Sequence, residues 1–177
     1  LNFARLTDDR SIILADEITF ETAKTFCFQL EYLKNGGKKK PIKIIINNCG
    51  GDSDAGLMIY NTVLAARRDG YKVTAEVRGL AASAALDAIL GCNKIVAWKV
   101  SWFLIHEIAT ITASWTKATE LKEKAEQLEK ENRMLAQLIA DRCKKPIELI
   151  LKLMKKTDYY LNAEEAKEFG LIDGMLE

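Results

Sequence analysis

The chain has 177 residues, 49% hydrophobic and 29% charged, the balance of a globular protein with a real core rather than a disordered polypeptide. Its formal net charge is +1, from 26 Lys and Arg against 25 Asp and Glu. There is thus no field to gather nucleic acid or an anionic membrane, and neither is expected as a partner. No bilayer-length apolar run and no signal peptide is visible, and the start at Leu1 rather than methionine leads us to expect an N-terminal piece outside this sequence.

Ser11-Ile12-Ile13-Leu14-Ala15 reads as a strand. Thr19 is placed to cap a helix, with Thr22 where a capping box prefers Glu, and Ala23, Phe26, Cys27, Leu30 and Leu33 recur at helical spacing up to Gly36-Gly37. The Lys38-Lys39-Lys40 cluster reads as a solvated turn. Pro41 opens Ile42 to Asn47, a β-branched run suited to a buried parallel strand. The loop NNCGGDSDAG leads to a helix from about Leu57 to Arg68, broken at Asp69-Gly70, and YKVTAEVRG alternates like another strand. In RGLAASAALDAILG a helix follows Ser83 and ends near Gly91; Lys94 to Ala97 restarts the apolar pattern, and SWFLIH forms a strand ending on His106. Such β-α-β-α-β alternation implies parallel strands joined by crossover helices, and so an α/β protein.

From about Trp115 to Cys143 there is no Gly or Pro, and Leu121, Ala125, Leu128, Asn132, Leu135 and Ile139 fall at alternating spacings of four and three. This fits a coiled coil or a long helix packed on a domain or subunit; we favour the packing helix. Pro146 opens a short helix, and LNAEEAKEFG is a capped one, from Asn162 to the Gly170 stop. Cys27, Cys49, Cys92 and Cys143 are far apart and mostly in apolar stretches, which suggests small buried residues in a reducing compartment. Without paired cysteines, and with a single histidine, no metal site is expected.

Two loops and that histidine carry the candidate chemistry. The Gly50-Gly51 loop lies between a strand and a helix, where parallel α/β folds collect ligands, but its spacing matches neither a P-loop nor GxGxxG. Ser83 is not in a GxSxG elbow, since Ala81 and Ala85 stand where the glycines would be, and taken alone a serine there reads as a helix cap. Any Ser–His mechanism must use His106 as base, and Asp141, Asp158 and Asp173 are all candidates to orient it.

Together, RLTDDRSIIL, IIINNCGGDSDAGLMIYNTV, GLAASAALDAIL, FLIHE and TDYYLNAEEAKEFGLIDGML resemble, in order and spacing, the ClpP family of Clp protease proteolytic subunits. The resemblance implies a ClpP/crotonase-like fold of repeated βαβ units with a parallel sheet core and a protruding strand-helix handle at about 107–143, in one domain over 1–177. It implies a serine endopeptidase, with Ser83 as nucleophile, His106 as general base and Asp158 as the orienting acid. By the same resemblance the backbone N–H groups of Gly51 and Ala84 would form the oxyanion hole. No cofactor is implied. The partners implied are further copies in heptameric rings stacked as a tetradecamer, an AAA+ unfoldase of the ClpX, ClpA or ClpC kind, and unfolded polypeptide substrate, in the cytoplasm. The chain departs from the family pattern at Asn48-Cys49, Ala84, Glu107-Ile108 and the glycine-free IATITAS, which bear on cleavage preference and ring stacking. Two other readings are a noncatalytic ring subunit and a crotonase-fold acyl-CoA enzyme. The latter would use a carboxylate base and would not need Ser83, His106 and Asp158 together.

Overall fold

A computed structural model describes residues 10–35, 39–110, 115–156 and 158–177. The residues expected to form the N-terminal family motif before Arg10, the Gly36-Gly37 break with Lys38, and residues 111–114 of the handle lie outside it.

The first half alternates as expected: β1 (Ser11–Leu14), α1 (Phe20–Lys34), β2 (Ile42–Asn48), α2 (Ser53–Arg68), β3 (Val73–Ala82), α3 (Ala84–Leu90), β4 (Lys94–Trp98) and β5 (Trp102–Ile105). The second half adds α4 (Ala118–Cys143), α5 (Ile147–Lys156), β6 (Tyr159–Asn162), α6 (Ala163–Phe169) and β7 (Gly174–Leu176). Strands run β1-β2-β3-β4-β7, all parallel, with β5 parallel to β3 and β6 antiparallel to β5. The β-branched sequence explains the core. Ile12, Ile44, Ile46, Val73, Ala75 and Val77 are wholly buried, each large one worth about 1.5–3 kcal/mol of transfer free energy. Helices α1, α2, α3, α4 and α5 pack each against the next.

Caps set the helix ends. Thr22 completes a capping box with Thr19 although it is not Glu, because its hydroxyl accepts the Thr19 N–H at 2.8 Å. Helix α2 begins at Ser53, earlier than its apolar periodicity suggests. Asp52 caps it by accepting the Ala55 N–H, so capping rather than periodicity sets the start. In α4, Asn132, Leu135, Ala136, Ile139, Ala140 and Cys143 are buried, whereas the residues from Ala118 to Gln127 are exposed. Only the C-terminal half of the heptad-like stripe is used within this chain. Of the cysteines, Cys92 and Cys143 are buried, Cys27 is half-buried and Cys49 is exposed. The expectation of burial thus fails for Cys49, which follows the end of β2 at the loop surface.

The sheet forks at β3. Its residues Thr74–Val77 pair with β4, and Leu80–Ala82 pair with β5. Where the ladder divides, side chains replace strand partners: Leu80 N–H donates to Asn47 Oδ1 (3.1 Å) and Gly79 N–H to Ser101 Oγ (3.3 Å). Gly79 adopts φ +142°, and a Cβ there would sit 2.5 Å from Asn47 Oδ1, so only glycine fits the fork. The fork directs the end of β3, and Ser83 after it, between the ends of β2 and β5.

Candidate active site

Ser83 joins β3 to α3 at φ 54°, ψ −134°, a conformation a residue with a Cβ seldom adopts. Such backbone strain costs on the order of 1–3 kcal/mol and persists where the surroundings impose it. The hydroxyl makes no capping hydrogen bond to α3, so the capping role is not what holds it there. The geometry is a strand-to-helix elbow without the glycines of GxSxG. Ala81, Ala82, Ala84 and Ala85 are nearly or wholly buried and supply the small side chains such a turn needs. Gly50 presses against this turn: a Cβ on it would meet Ala82 O and Ser83 Cβ, both at 2.8 Å, and its φ is +100°. Buried Asn48 fixes the approach, accepting the Gly50 N–H at 2.8 Å and donating to Asp16 O at 2.6 Å.

Strand register brings the remaining groups together. In the antiparallel pair of β5 and β6, Trp102 faces Asn162 and Ile105 faces Tyr159. One rung further, His106 stands opposite Asp158. His106 Nδ1 and Asp158 Oδ1 are 3.7 Å apart, with side-chain exposures of 28% and 59%. On the other side of β5 the Ser83 N–H donates to Leu104 O at 3.3 Å. Ser83, His106, Gly51 and Ala84 line one cavity of about 470 Å³.

The competing acids are committed elsewhere. Asp173 accepts the Ile95 N–H at 2.7 Å and pairs with Arg142, and Asp141 accepts from Gln137 along α4. Both expected oxyanion donors have free N–H groups among the described residues. Ala84 is the first residue of α3, where no intrahelical acceptor exists. Gly51 lies beside Ile18 in an isolated parallel bridge whose hydrogen bonds are made by its neighbours, Ile18 N–H to Gly50 O and Asp52 N–H to Ile18 O. A Cβ on Gly51 would come within 2.2 Å of Ile18 O.

One residue of the site was not anticipated. Asp87, within a stretch read as apolar helix, lines the same cavity yet is only 8% exposed. Burial pushes its carboxyl up to about 7. Its signal in the sequence was its spacing, four residues after Ser83 and so on the same helical face.

A hydroxyl and an imidazole just past the C-terminal ends of β3 and β5, with a carboxylate just before the antiparallel β6, are the composition of a serine hydrolase site. The Clp protease family model matches residues 2–177. The chain is also 34% identical over 177 residues to the ATP-dependent Clp protease proteolytic subunit 1 of Bacillus cereus, covering 99% of this chain and 89% of that protein. The chain belongs to the Clp protease family, and it is a serine peptidase.

Proposed function

We propose that this chain hydrolyses unfolded polypeptides at a Ser83-His106-Asp158 triad inside a self-compartmentalised ring. The observation that carries the reading is the β5–β6 register, which continues to His106 opposite Asp158 beside the strained Ser83 turn. Asp158 faces Nδ1, leaving Nε2 to take the Ser83 proton as Oγ attacks the scissile carbonyl. The Gly51 and Ala84 N–H groups receive the oxyanion, each such donor being worth roughly 3 kcal/mol of barrier. His106 then protonates the leaving amine and activates the water that releases the acyl group. The His106–Asp158 separation of 3.7 Å is longer than a usual N–H···O hydrogen bond by roughly 0.7 Å, so in this reading the pair closes on substrate binding or assembly.

Heptameric rings stacked as a tetradecamer, fed by an AAA+ unfoldase in the cytoplasm, complete the reading. Surface left uncovered on the single chain supports assembly. On α1, Phe20, Phe28 and Tyr32 are 60%, 68% and 69% exposed, and the N-terminal half of α4 has no cover. No helix among the described residues is long and apolar enough to cross a membrane.

The test is intact-mass measurement after exposure to a fluorophosphonate, with native mass of the assembly alongside. A single adduct per chain is expected, absent in Ser83→Ala and His106→Ala. A ring-forming protein that takes no adduct would establish a noncatalytic subunit instead.

A further inference from the structure

The mechanism proposed above leaves Asp87 without a role, yet its position is costly. It lies one turn into α3 from Ser83, about 6 Å along the helix axis, with its side chain at the same cavity. It is 8% exposed, and among the described residues its carboxylate has neither a hydrogen bond nor an ion pair. A carboxylate buried without a partner destabilises a fold. Nothing in the packing demands one here, because Leu86, Leu135, Ile139 and Met154 line the same cavity. Asp87 thus shares with Ser83 a cavity whose lining includes these apolar side chains.

That combination of apolar lining and an unpaired carboxylate matches a side chain with an aliphatic stem and a cationic tip. Lysine and arginine bury their stems along apolar surface and need an acceptor at the head. The surrounding charge favours the same guest. Asp52 and Asp54 at the start of α2, Glu107 after β5 and Glu131 on α4 line the cavity, against Lys124 and His106. An acidic cleft raises the local concentration of cationic substrate.

We propose that Asp87 determines the cleavage specificity of this peptidase, its carboxylate receiving the lysine or arginine side chain of the substrate residue that supplies the scissile carbonyl. The proposal rests on the reading of Ser83 as nucleophile. A bound cation supplies the counter-charge that the fold withholds from Asp87. The upward displacement of the Asp87 carboxyl by burial agrees with a group lacking such a counter-charge.

The assembled protein is exposed to two peptidyl diphenyl phosphonates that differ only in the reacting residue, one with an aminobutyl side chain and one with an isobutyl side chain. Labelling rates at Ser83 are read by intact mass. The aminobutyl compound is expected to react faster with the wild type, by roughly 10²-fold. Asp87→Asn, which keeps the shape and removes the charge, abolishes that preference, and Asp87→Leu reverses it. If the isobutyl compound reacts as fast or faster with the wild type, and Asp87→Asn leaves the ratio unchanged, the specificity proposal is overturned while the peptidase reading stands. If neither phosphonate reacts although a small fluorophosphonate labels Ser83, the proposal is likewise overturned. A Ser83 that takes no reagent at all overturns the nucleophile assignment and this proposal with it.

Discussion

At the scale of single residues, the choice among acids was a matter of what each carboxylate already does. Asp173 is tied to the Ile95 N–H and Arg142, which joins the β4–β7 edge to the end of α4. Asp173→Ala is therefore expected to lower stability by about 1–3 kcal/mol in a denaturant melt, and to leave fluorophosphonate labelling of Ser83 intact. Asp158 behaves in the opposite way. It faces His106 and is 59% exposed, so water replaces part of what it supplies to the imidazolium. Asp158→Asn is expected to lower kcat by roughly 10²-fold, less than the ~10⁴-fold seen where the triad acid is buried, with little change in melting temperature. A peptide-hydrolysis assay that finds Asp158→Asn fully active would remove it from the triad.

At the scale of elements, the site depends on how closely the Gly50-Gly51 loop approaches the Ser83 turn. Helix α3 begins against that loop, and Gly56 of α2 lies against Ala84, where a Cβ would come within 2.9 Å of the Ala84 carbonyl oxygen. Gly50 needs both its positive φ and its missing Cβ. Gly50→Ala should therefore cost more than about 1 kcal/mol of stability and push the elbow, with Ser83 and the Ala84 N–H, away from the Gly51 N–H proposed as the other oxyanion donor. Loss of labelling at a temperature where circular dichroism still reports folded protein would be the signature. Asn48 supports the same loop through buried hydrogen bonds. Asn48→Ala leaves the Gly50 N–H and Asp16 carbonyl without this partner, for an expected loss of about 1–3 kcal/mol.

At the scale of the whole molecule, Asp87 couples stability to pH. Its carboxyl is raised from the ordinary 3.8 to about 7 by burial, so between those values the folded chain holds a proton that the unfolded chain releases. Stability from this group is full below pH 4, declines as pH rises toward 7 and stays low above it, a difference on the order of a few kcal/mol. Asp87→Leu should remove that decline and melt at a higher temperature than wild type at pH 8, with the gap narrowing at pH 4. Thermal melts of both proteins across this range test it; equal gaps at the two ends would mean that the carboxylate is solvated in the cavity. A chain that keeps a destabilising acid beside Ser83, the proposed nucleophile, is expected to gain in substrate recognition what it loses in stability.

Much of this protein was legible in its sequence, because period and punctuation are local. The β-branched run from Ile42, the Asn162–Gly170 helix and the strand leading to His106 each carry their own signal. A single histidine narrows the choice of base by itself. What only the tertiary structure decided are relations between segments distant along the chain. The resemblance singled out Asp158 among Asp141, Asp158 and Asp173, but its proximity to His106 comes from strand register, which sequence spacing does not encode. The strain at Ser83 and the need for Gly50 arise from the fork in β3 and the loop pressed against it. Asp87 looked like one polar residue in an apolar helix, and became a buried carboxylate in the Ser83 cavity only when α4 and α5 closed around it. Helical and strand periods are set by each residue's own neighbours, whereas burial and pairing are set by whatever the rest of the chain brings alongside.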